Sequence, residues 1–239
     1  MRVFLINLDK NKDRLERSTL RLNALGVSFE RVEAIYGKDL SIDDKKKAVN
    51  NFRWWCAQGR KVRDGEIGCA LSHFKIYQKM QDERIECACI LEDDNIYSDE
   101  FSTVLNQVEK LMDPSLPQVV LLSNYTDAVP VSKEVKISST RNDYTTASYI
   151  ITRLAASALM RANYPIQVPC DYGRRWVRRN IISLYHSIPA VCKQEDRKIY
   201  GSDVETPDME RVSDFGPLKW LVHKLKRLIG VTIDRMLPL

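Results

Sequence analysis

The 239-residue sequence lacks several patterns that mark common protein classes. Its six cysteines form no Cys-x-x-Cys pair, so the ligand spacing of a structural zinc finger is missing. It has no glycine-rich phosphate loop, which excludes a Walker loop and a dinucleotide-binding fingerprint. No apolar run is long enough to span a membrane. The length of the chain is enough for one α/β domain with a large core, or for one domain plus an appendage.

The N-terminal residues 1–9 become polar before they could form the apolar part of a secretory signal. We therefore expect a cytoplasmic protein whose cysteines are reduced and mostly buried thiols. The formal net charge of +5 is a mild excess, which matters only where the cations are localised.

The most informative stretch is an apolar run that ends in three consecutive acids. Residues 88–91 are apolar and predict a buried strand, after which Glu92, Asp93 and Asp94 follow directly. Adjacent carboxylates repel one another unless a cation or hydrogen-bond donors neutralise them. Carboxylate oxygens are also the ligands that hard divalent cations prefer. The stretch indicates either a metal site at the rim of a sheet or a solvated loop after the strand.

The first part of the chain has a strand–helix–strand pattern. Residues 3–8 are almost continuously apolar, Gly26 is a typical C-cap for the helix that follows, and residues 28–34 resemble a second strand. The pattern predicts a parallel sheet with a right-handed crossover. Further strands are predicted at residues 87–91, 119–122, 147–152 and 188–191.

Polar and charged residues follow the first predicted strand. Such residues commonly line a ligand crevice at the end of a parallel strand, as Asn7 and Asp9 would here. Lys10, Lys12 and Arg14 add cations that suit a nucleotide diphosphate. The alternative is the first turn of a helix with solvated lysines.

Residues 64–73 place two glycines around an acid and an apolar residue, and predict a turn before a helix that starts near Cys69. Glycine permits close approach of another backbone or of a ligand. His73 lies on the first turns of that helix. It is either a structural hydrogen-bonding residue or a catalytic one.

Two basic stretches lie later in the chain. The basic residues at 174–179 suit an anionic acceptor or a membrane-facing surface better than nucleic acid, since the acid cluster disfavours a nucleic-acid partner.

We divide the chain into a domain at 1–205 and a tail at 206–239. The basic amphipathic helix predicted in the tail either binds a membrane surface or docks on the domain. The apolar side of that helix is formed by Leu218, Leu221, Leu225 and Leu228.

Together these residues resemble glycosyltransferase family 25, which includes bacterial lipooligosaccharide galactosyltransferases. The resemblance runs from Val3 to about Gln194 and rests on an ordered set of short motifs. The motifs span residues 4–9 with 13–14, 29–31, 34–37, 65–69 with 72–73, 91–94, and 147–151 before Pro169 and Asp171.

The resemblance implies a GT-A-type fold, an α/β sandwich with a mainly parallel sheet that binds a nucleotide sugar at the C-terminal ends of its strands. It implies an inverting transferase that uses a UDP-sugar and a divalent cation, Mn²⁺ or Mg²⁺. We expect transfer of a hexose, with galactose favoured and β-1,4 as a candidate linkage, to lipooligosaccharide at the inner face of the cytoplasmic membrane. The alternatives are a UDP-glucose-dependent transferase of this family and a non-catalytic sugar- or membrane-binding protein.

Within this family pattern we hypothesise that Asp94 binds the metal directly. Glu92 and Asp94 alternate around Asp93 and would project to the same side of an extended chain. Glu92 or Asp93 would then contact the ribose, or the metal through water. The residues expected near the donor are Asn7, Asp9, Asp13, Arg14, Glu92 and Asp93.

Inversion requires a general base on the face of the sugar opposite the leaving group. Asp171 is the first candidate because it follows the constrained segment at Pro169. Glu66 and His73 are its rivals.

Overall fold

The computed structural model describes residues 1–123, 134–140 and 145–195, together with residues 225, 228, 229 and 232. Helices and strands are arranged around a seven-stranded sheet. The strands are β1 Arg2–Asn7, β2 Glu30–Glu33, β3 Cys87–Glu92, β4 Asn95–Tyr97, β5 Gln118–Leu121, β6 Lys136–Ser139, β7 Ser148–Thr152, β8 Ser183–Ile188 and β9 Cys192–Gln194. The helices are α1 Lys12–Ala24, α2 Ile42–Ala48, α3 Asn51–Gln58, α4 Asp64–Asp82, α5 Phe101–Leu111, α6 Arg153–Asn163 and α7 Gly173–Arg178.

The strand order of the sheet is β2-β1-β3-β7-β5-β8-β6. β1 pairs in parallel with β2 and β3, and β5 pairs in parallel with β8, whereas β7 and β6 are antiparallel to their neighbours. The predicted α/β class with a mainly parallel sheet is therefore confirmed. The antiparallel β7 between β3 and β5 was not predicted. A separate two-stranded ribbon joins β4 to β9.

Both faces of the sheet are covered, which explains the continuous apolar runs. Phe4 and Ile6 of β1 pack into the core that contains residues of α4 and α6. Val3 and Leu5, the alternate residues, pack into a second core with residues of α1 and α5. A strand with helices on both sides has no solvent-facing side, so its sequence does not alternate.

Two predicted boundaries were wrong. α4 begins at Asp64 rather than near Cys69, so the two glycines at 65 and 68 lie inside the helix and form no turn before it. In chain order, the final strand of the seven-stranded sheet is β8. Most of the strand predicted at 188–191 lies instead in the connection between β8 and β9.

Part of the sequence prediction falls outside the residues that the structure describes. Between residues 124 and 144 the structure describes only 134–140, which contain β6. The tail at 206–239 with its amphipathic helix lies outside the described residues, apart from positions 225, 228, 229 and 232. Within the described ranges, no helix has the length and apolar character needed to cross a bilayer.

Glycines at 37 and 68 allow α4 to contact the segment that follows β2. A Cβ atom on Gly68 would lie 2.4 Å from the Ile35 carbonyl oxygen and 2.8 Å from the Gly37 nitrogen. The Ile35 amide donates to Ser72 Oγ at 2.8 Å, and that hydroxyl donates to the Gly68 carbonyl at 2.7 Å. The N-terminal half of α4 therefore fixes residues 35–37 in place.

We expect Gly68→Ala to lower the free energy of unfolding by about 2–3 kcal/mol, because the added methyl group meets backbone atoms. At an open position inside a helix, the same change would stabilise the protein by up to about 1 kcal/mol. Urea unfolding measures the difference. The control is Gly26→Ala, where a Cβ would meet no atom within 4 Å and only the positive φ of +66° costs stability. Unchanged or increased stability of Gly68→Ala would contradict the packing argument.

Candidate active site

A cleft opens at the carboxyl ends of β1 and β3, which are neighbours in the sheet. The segment at 34–37 and the first turns of α4 form its other walls. Because parallel neighbours end at the same edge of a sheet, residues distant in sequence meet there. The residues that line the cleft include Asn7, Arg14, His73, Glu92, Asp93 and Asp94.

Asp93 is buried at the centre of a hydrogen-bond network, with 8% of its surface exposed. Asn7 Nδ2 donates to Asp93 Oδ2 at 2.7 Å, and Arg14 lies 3.4 Å from Oδ1. Ser18 Oγ of α1 donates to the Asp93 carbonyl at 3.0 Å. Burial raises the pKa of Asp93, while Asn7 and Arg14 oppose that shift. Asp93 thus connects the end of β3 to β1 and α1.

Asp94 has a carboxyl group that is perturbed by its acidic neighbours. Burial, followed by the negative charges of Glu92 and Asp93, raises the pKa of Asp94 to about 7. Gln194 of β9 opposes the shift, with its Nε2 atom 3.4 and 3.5 Å from the two carboxylate oxygens. Burial and the neighbouring acids therefore disfavour the ionised form of Asp94, which a bound cation would favour.

Glu92 turns toward α4 and β7 instead. Thr146 Oγ1 donates to Glu92 Oε1 at 2.6 Å, and His73 Nε2 lies 3.3 Å from the same oxygen. His73 is buried, and its Nδ1 atom lies 2.8 Å from the Tyr149 hydroxyl. Both ring nitrogens of His73 therefore have protein partners beneath the cleft.

Two predicted donor residues lie outside the cleft lining. Asp9 forms an ion pair with Arg31 at 3.1 Å, and its side chain is 67% exposed. Asp13 forms an ion pair with Arg17 one turn further along α1 at 3.0 Å, and its side chain is 75% exposed. Their proximity to a bound nucleotide stays a prediction.

The rival base candidates differ in their surroundings. Glu66 accepts hydrogen bonds from Arg60 NH1 at 2.8 Å and from the Arg63 amide at 3.0 Å, which caps the start of α4. Asp171 is partly buried just before α7, next to Cys170. The structure thus gives Glu66 a helix-capping role. Neither carboxylate is among the described residues that line the cleft, but the charge of Asp171 acts on the thiol of the cleft residue Cys69.

A sequence model of glycosyltransferase family 25, described as an LPS biosynthesis protein, matches residues 1–173. The chain belongs to glycosyltransferase family 25. This confirms the resemblance found in the short motifs.

Relatives of this family 25 chain match part of it. Procollagen galactosyltransferase 1-B of Xenopus laevis is 36% identical over 96 residues, which are 38% of this chain and 16% of that protein. Lipooligosaccharide biosynthesis protein lex-1 of Haemophilus influenzae is 28% identical over 174 residues, 64% of this chain and 57% of that protein. The family 25 chain therefore matches about a sixth of the procollagen enzyme's length and just over half of lex-1's.

One solved structure with a similar chain path is a glycosyltransferase involved in glycosylation of the major capsid of PBCV-1. It is 10% identical, the match covers 76% of this chain and 79% of that chain, and the TM-score is 0.37. A TM-score this low carries no argument about the family 25 chain.

Several side chains of the family 25 site were not predicted from the sequence. Thr146 and Gln194, which hold Glu92 and Asp94, lie more than fifty residues away from them in the chain. The Sγ atoms of Cys69 and Cys170 lie 3.5 Å apart, although 101 positions separate the two residues. The contact with Cys170 and burial raise the pKa of the Cys69 thiol, and Glu92 and Asp171 add to the shift. The sequence contains no local signal for these long-range contacts.

Proposed function

We propose that the chain is an inverting glycosyltransferase of the GT-A type that transfers a hexose from a UDP-sugar. The observation that carries the proposal is the partly buried carboxylate of Asp94, which lies in the cleft beside Glu92 and Asp93 at the end of β3. Membership of family 25 supports an enzyme, and the galactosyltransferase name of the Xenopus relative favours galactose as the sugar.

The residues of the cleft fit a divalent cation with a nucleotide diphosphate. Asp94 would hold Mn²⁺ or Mg²⁺, because its oxygens are hard ligands in a site of excess negative charge. Glu92, whose carboxylate contacts Thr146 and His73, would contact the ion through water. Such a cation neutralises the developing charge on a diphosphate leaving group.

Asn7, Arg14 and Asp93 form the donor side of the proposed site. Arg14 supplies the cationic donor group of the cleft lining, and its guanidinium lies at the Asp93 carboxylate, 3.4 Å away. Asn7 is fixed by its contact with Asp93 and by Arg31 Nε, which donates to Asn7 Oδ1 at 3.1 Å. A fixed network of this kind orients a nucleotide without reorganising on binding.

Asp171 is the proposed general base that removes the proton from the acceptor hydroxyl. His73 is a weaker candidate because both of its ring nitrogens have buried partners. Glu66 is a weaker candidate because Arg60 and the start of α4 hold its carboxylate.

We further propose lipooligosaccharide as the acceptor, at the inner face of the cytoplasmic membrane. The name of the Haemophilus relative favours this acceptor. The basic sequence of the tail at 206–239 favours reversible attachment to an anionic leaflet, since each cation near such a surface contributes roughly 1 kcal/mol.

The decisive assay is release of UDP from UDP-galactose and from UDP-glucose in the presence of truncated lipooligosaccharide. We expect release with Mn²⁺ or Mg²⁺ present and its loss on addition of EDTA, with recovery when the metal is restored. The rival is a non-catalytic sugar- or membrane-binding protein. Nucleotide binding without UDP release under all these conditions would favour the rival.

A further inference from the structure

Beneath the acid cluster, two thiols and an imidazole converge from separate parts of the chain. Cys69 and His73 lie one turn apart on α4, and Cys170 precedes α7. The two Sγ atoms are 3.5 Å apart, and one ligand atom from each of the three residues lies within 4.8 Å of the others. We propose that Cys69, His73 and Cys170 bind Zn²⁺, at a site beside the acid cluster with a different set of ligands.

The spacing of these atoms fits the coordination chemistry of zinc. Zinc takes four ligands in a tetrahedron, with Zn–S bonds of about 2.3 Å, so two bound sulfurs lie somewhat under 4 Å apart. Residues at i and i+4 share one face of a helix, which lets Cys69 and His73 bind the same ion. Cys69 and His73 also line the cleft, from which water would fill the fourth position.

The surroundings of His73 suit a metal ligand. Its Nδ1 atom lies 2.8 Å from the Tyr149 hydroxyl, which in turn lies 2.8 Å from the Tyr77 hydroxyl. Zinc-binding histidines commonly use one ring nitrogen for such a buried partner and the other for the metal. Tyr149 therefore fixes the ring through Nδ1, and we assign Nε2 to the ion. Glu92, now 3.3 Å from Nε2, keeps its hydrogen bond from Thr146 when Nε2 binds metal.

Local charge favours a cation here over a redox-active thiol pair. The negative charges of Glu92 and Asp171 act on the Cys69 thiol. A reactive cysteine needs cationic surroundings that stabilise its thiolate, which is the opposite arrangement. A disulfide would also require the sulfurs to approach from 3.5 Å to about 2.05 Å. Zinc binding releases the two thiol protons to solvent and leaves the imidazole neutral, so the bound thiolates balance the charge of the ion.

The two sites in this cleft would select different metals. Carboxylate oxygens favour Mg²⁺ and Mn²⁺, whereas thiolate and imidazole ligands favour Zn²⁺. The zinc ion would tie α4 to the segment that carries Asp171, since Cys170 is the adjacent residue.

The test is metal binding by the full chain, stripped of metal and kept reduced. Zn²⁺ is titrated in competition with a chromophoric chelator, and Co²⁺ is added separately to detect thiolate-to-cobalt charge transfer. We expect one equivalent of Zn²⁺ and a charge-transfer band. Cys69→Ser and Cys170→Ser should each weaken zinc affinity by more than about 100-fold, since loss of outer-shell partners alone costs 10–100-fold. The control is Cys87→Ser. Cys87 is a partly buried cysteine at the other core, so its replacement should leave the affinity for Zn²⁺ at the parent value.

Circular dichroism of each variant shows whether the fold is retained, and Cys170→Ser is informative even if the more central Cys69→Ser unfolds. Failure of the folded parent to bind Zn²⁺ would overturn the proposal. An affinity for Zn²⁺ in folded Cys170→Ser equal to that of the parent would also overturn it. So would a protein that forms a Cys69–Cys170 disulfide and binds no metal after reduction. Because the readout is metal binding, the result is independent of sugar transfer.

Discussion

Asp94→Asn is expected to lower the metal-dependent kcat/KM for UDP-sugar by on the order of 10³-fold, or about 4 kcal/mol of transition-state stabilisation. The substitution keeps the size of the side chain and removes the negative charge that Glu92 and Asp93 destabilise. The amide is a poor ligand for a divalent cation, so the diphosphate would lose its neutralising partner. Initial rates of UDP release at saturating Mn²⁺ measure the effect.

The matched control for this variant is Asp99→Asn, the same chemical change at an exposed position just after β4. It should retain the parent rate. If Asp94→Asn kept metal-dependent transfer at the level of Asp99→Asn, the assignment of Asp94 as the metal ligand would be wrong.

Asp171→Asn is expected to lower kcat by about 10²–10⁴-fold, the usual contribution of a general base. Because Asp171 is not among the described residues that line the cleft with Asn7, Arg14 and Asp93, the KM for UDP-sugar should change little. Steady-state kinetics with a saturating acceptor separates the two parameters. A large increase in KM at unchanged kcat would instead indicate a binding role.

Asp82→Asn, at the exposed far end of α4, is the control for Asp171. Glu66→Gln tests the rival. It should mainly cost stability, by up to about 1 kcal/mol, through loss of its ion pair with Arg60, because glutamine can still accept the hydrogen bond from the Arg63 amide. A comparable loss of kcat in folded Glu66→Gln with little loss in Asp171→Asn would transfer the role of the base to Glu66.

The strands with both faces buried were predictable because burial removes the need for polar residues. β1, β3, β5 and β7 are each nearly continuous apolar runs, and each was predicted within two residues at either end. β8 escaped prediction because its sequence, Ser-Leu-Tyr-His-Ser-Ile, mixes polar residues with apolar ones beside the edge strand β6. The direction of β7 could not be predicted, since an isolated strand sequence does not specify whether its pairing is parallel or antiparallel.

The start of α4 was missed because its glycines resembled a turn. Glycine is unfavourable inside helices, so Gly65 and Gly68 argued locally against a helix. Their presence follows from tertiary contact, since the backbone at 35–37 lies where a Cβ of Gly68 would be. At this position the tertiary contact, rather than the low helix propensity of glycine, determines the local structure.

The part of the candidate site that lies at the ends of adjacent parallel strands was predictable from the sequence. Asn7 and the acid cluster end neighbouring strands, and they do meet, with Asn7 Nδ2 2.7 Å from Asp93 Oδ2. The different surroundings of the three acids were not predictable. They depend on Thr146, Gln194 and Arg14, which β7, β9 and α1 bring to the cluster.

The most direct test of the proposed donor site is the binding of Mn²⁺ measured by electron paramagnetic resonance, with and without UDP. The parent protein should bind one Mn²⁺ much more tightly when UDP is present, because the diphosphate oxygens complete the ligand set. Asp94→Asn should lose most of that UDP-dependent binding, and Asp99→Asn should retain it. UDP-dependent binding of Mn²⁺ that is equal in the parent and in Asp94→Asn would contradict the assignment of the metal to the Glu92–Asp94 cluster.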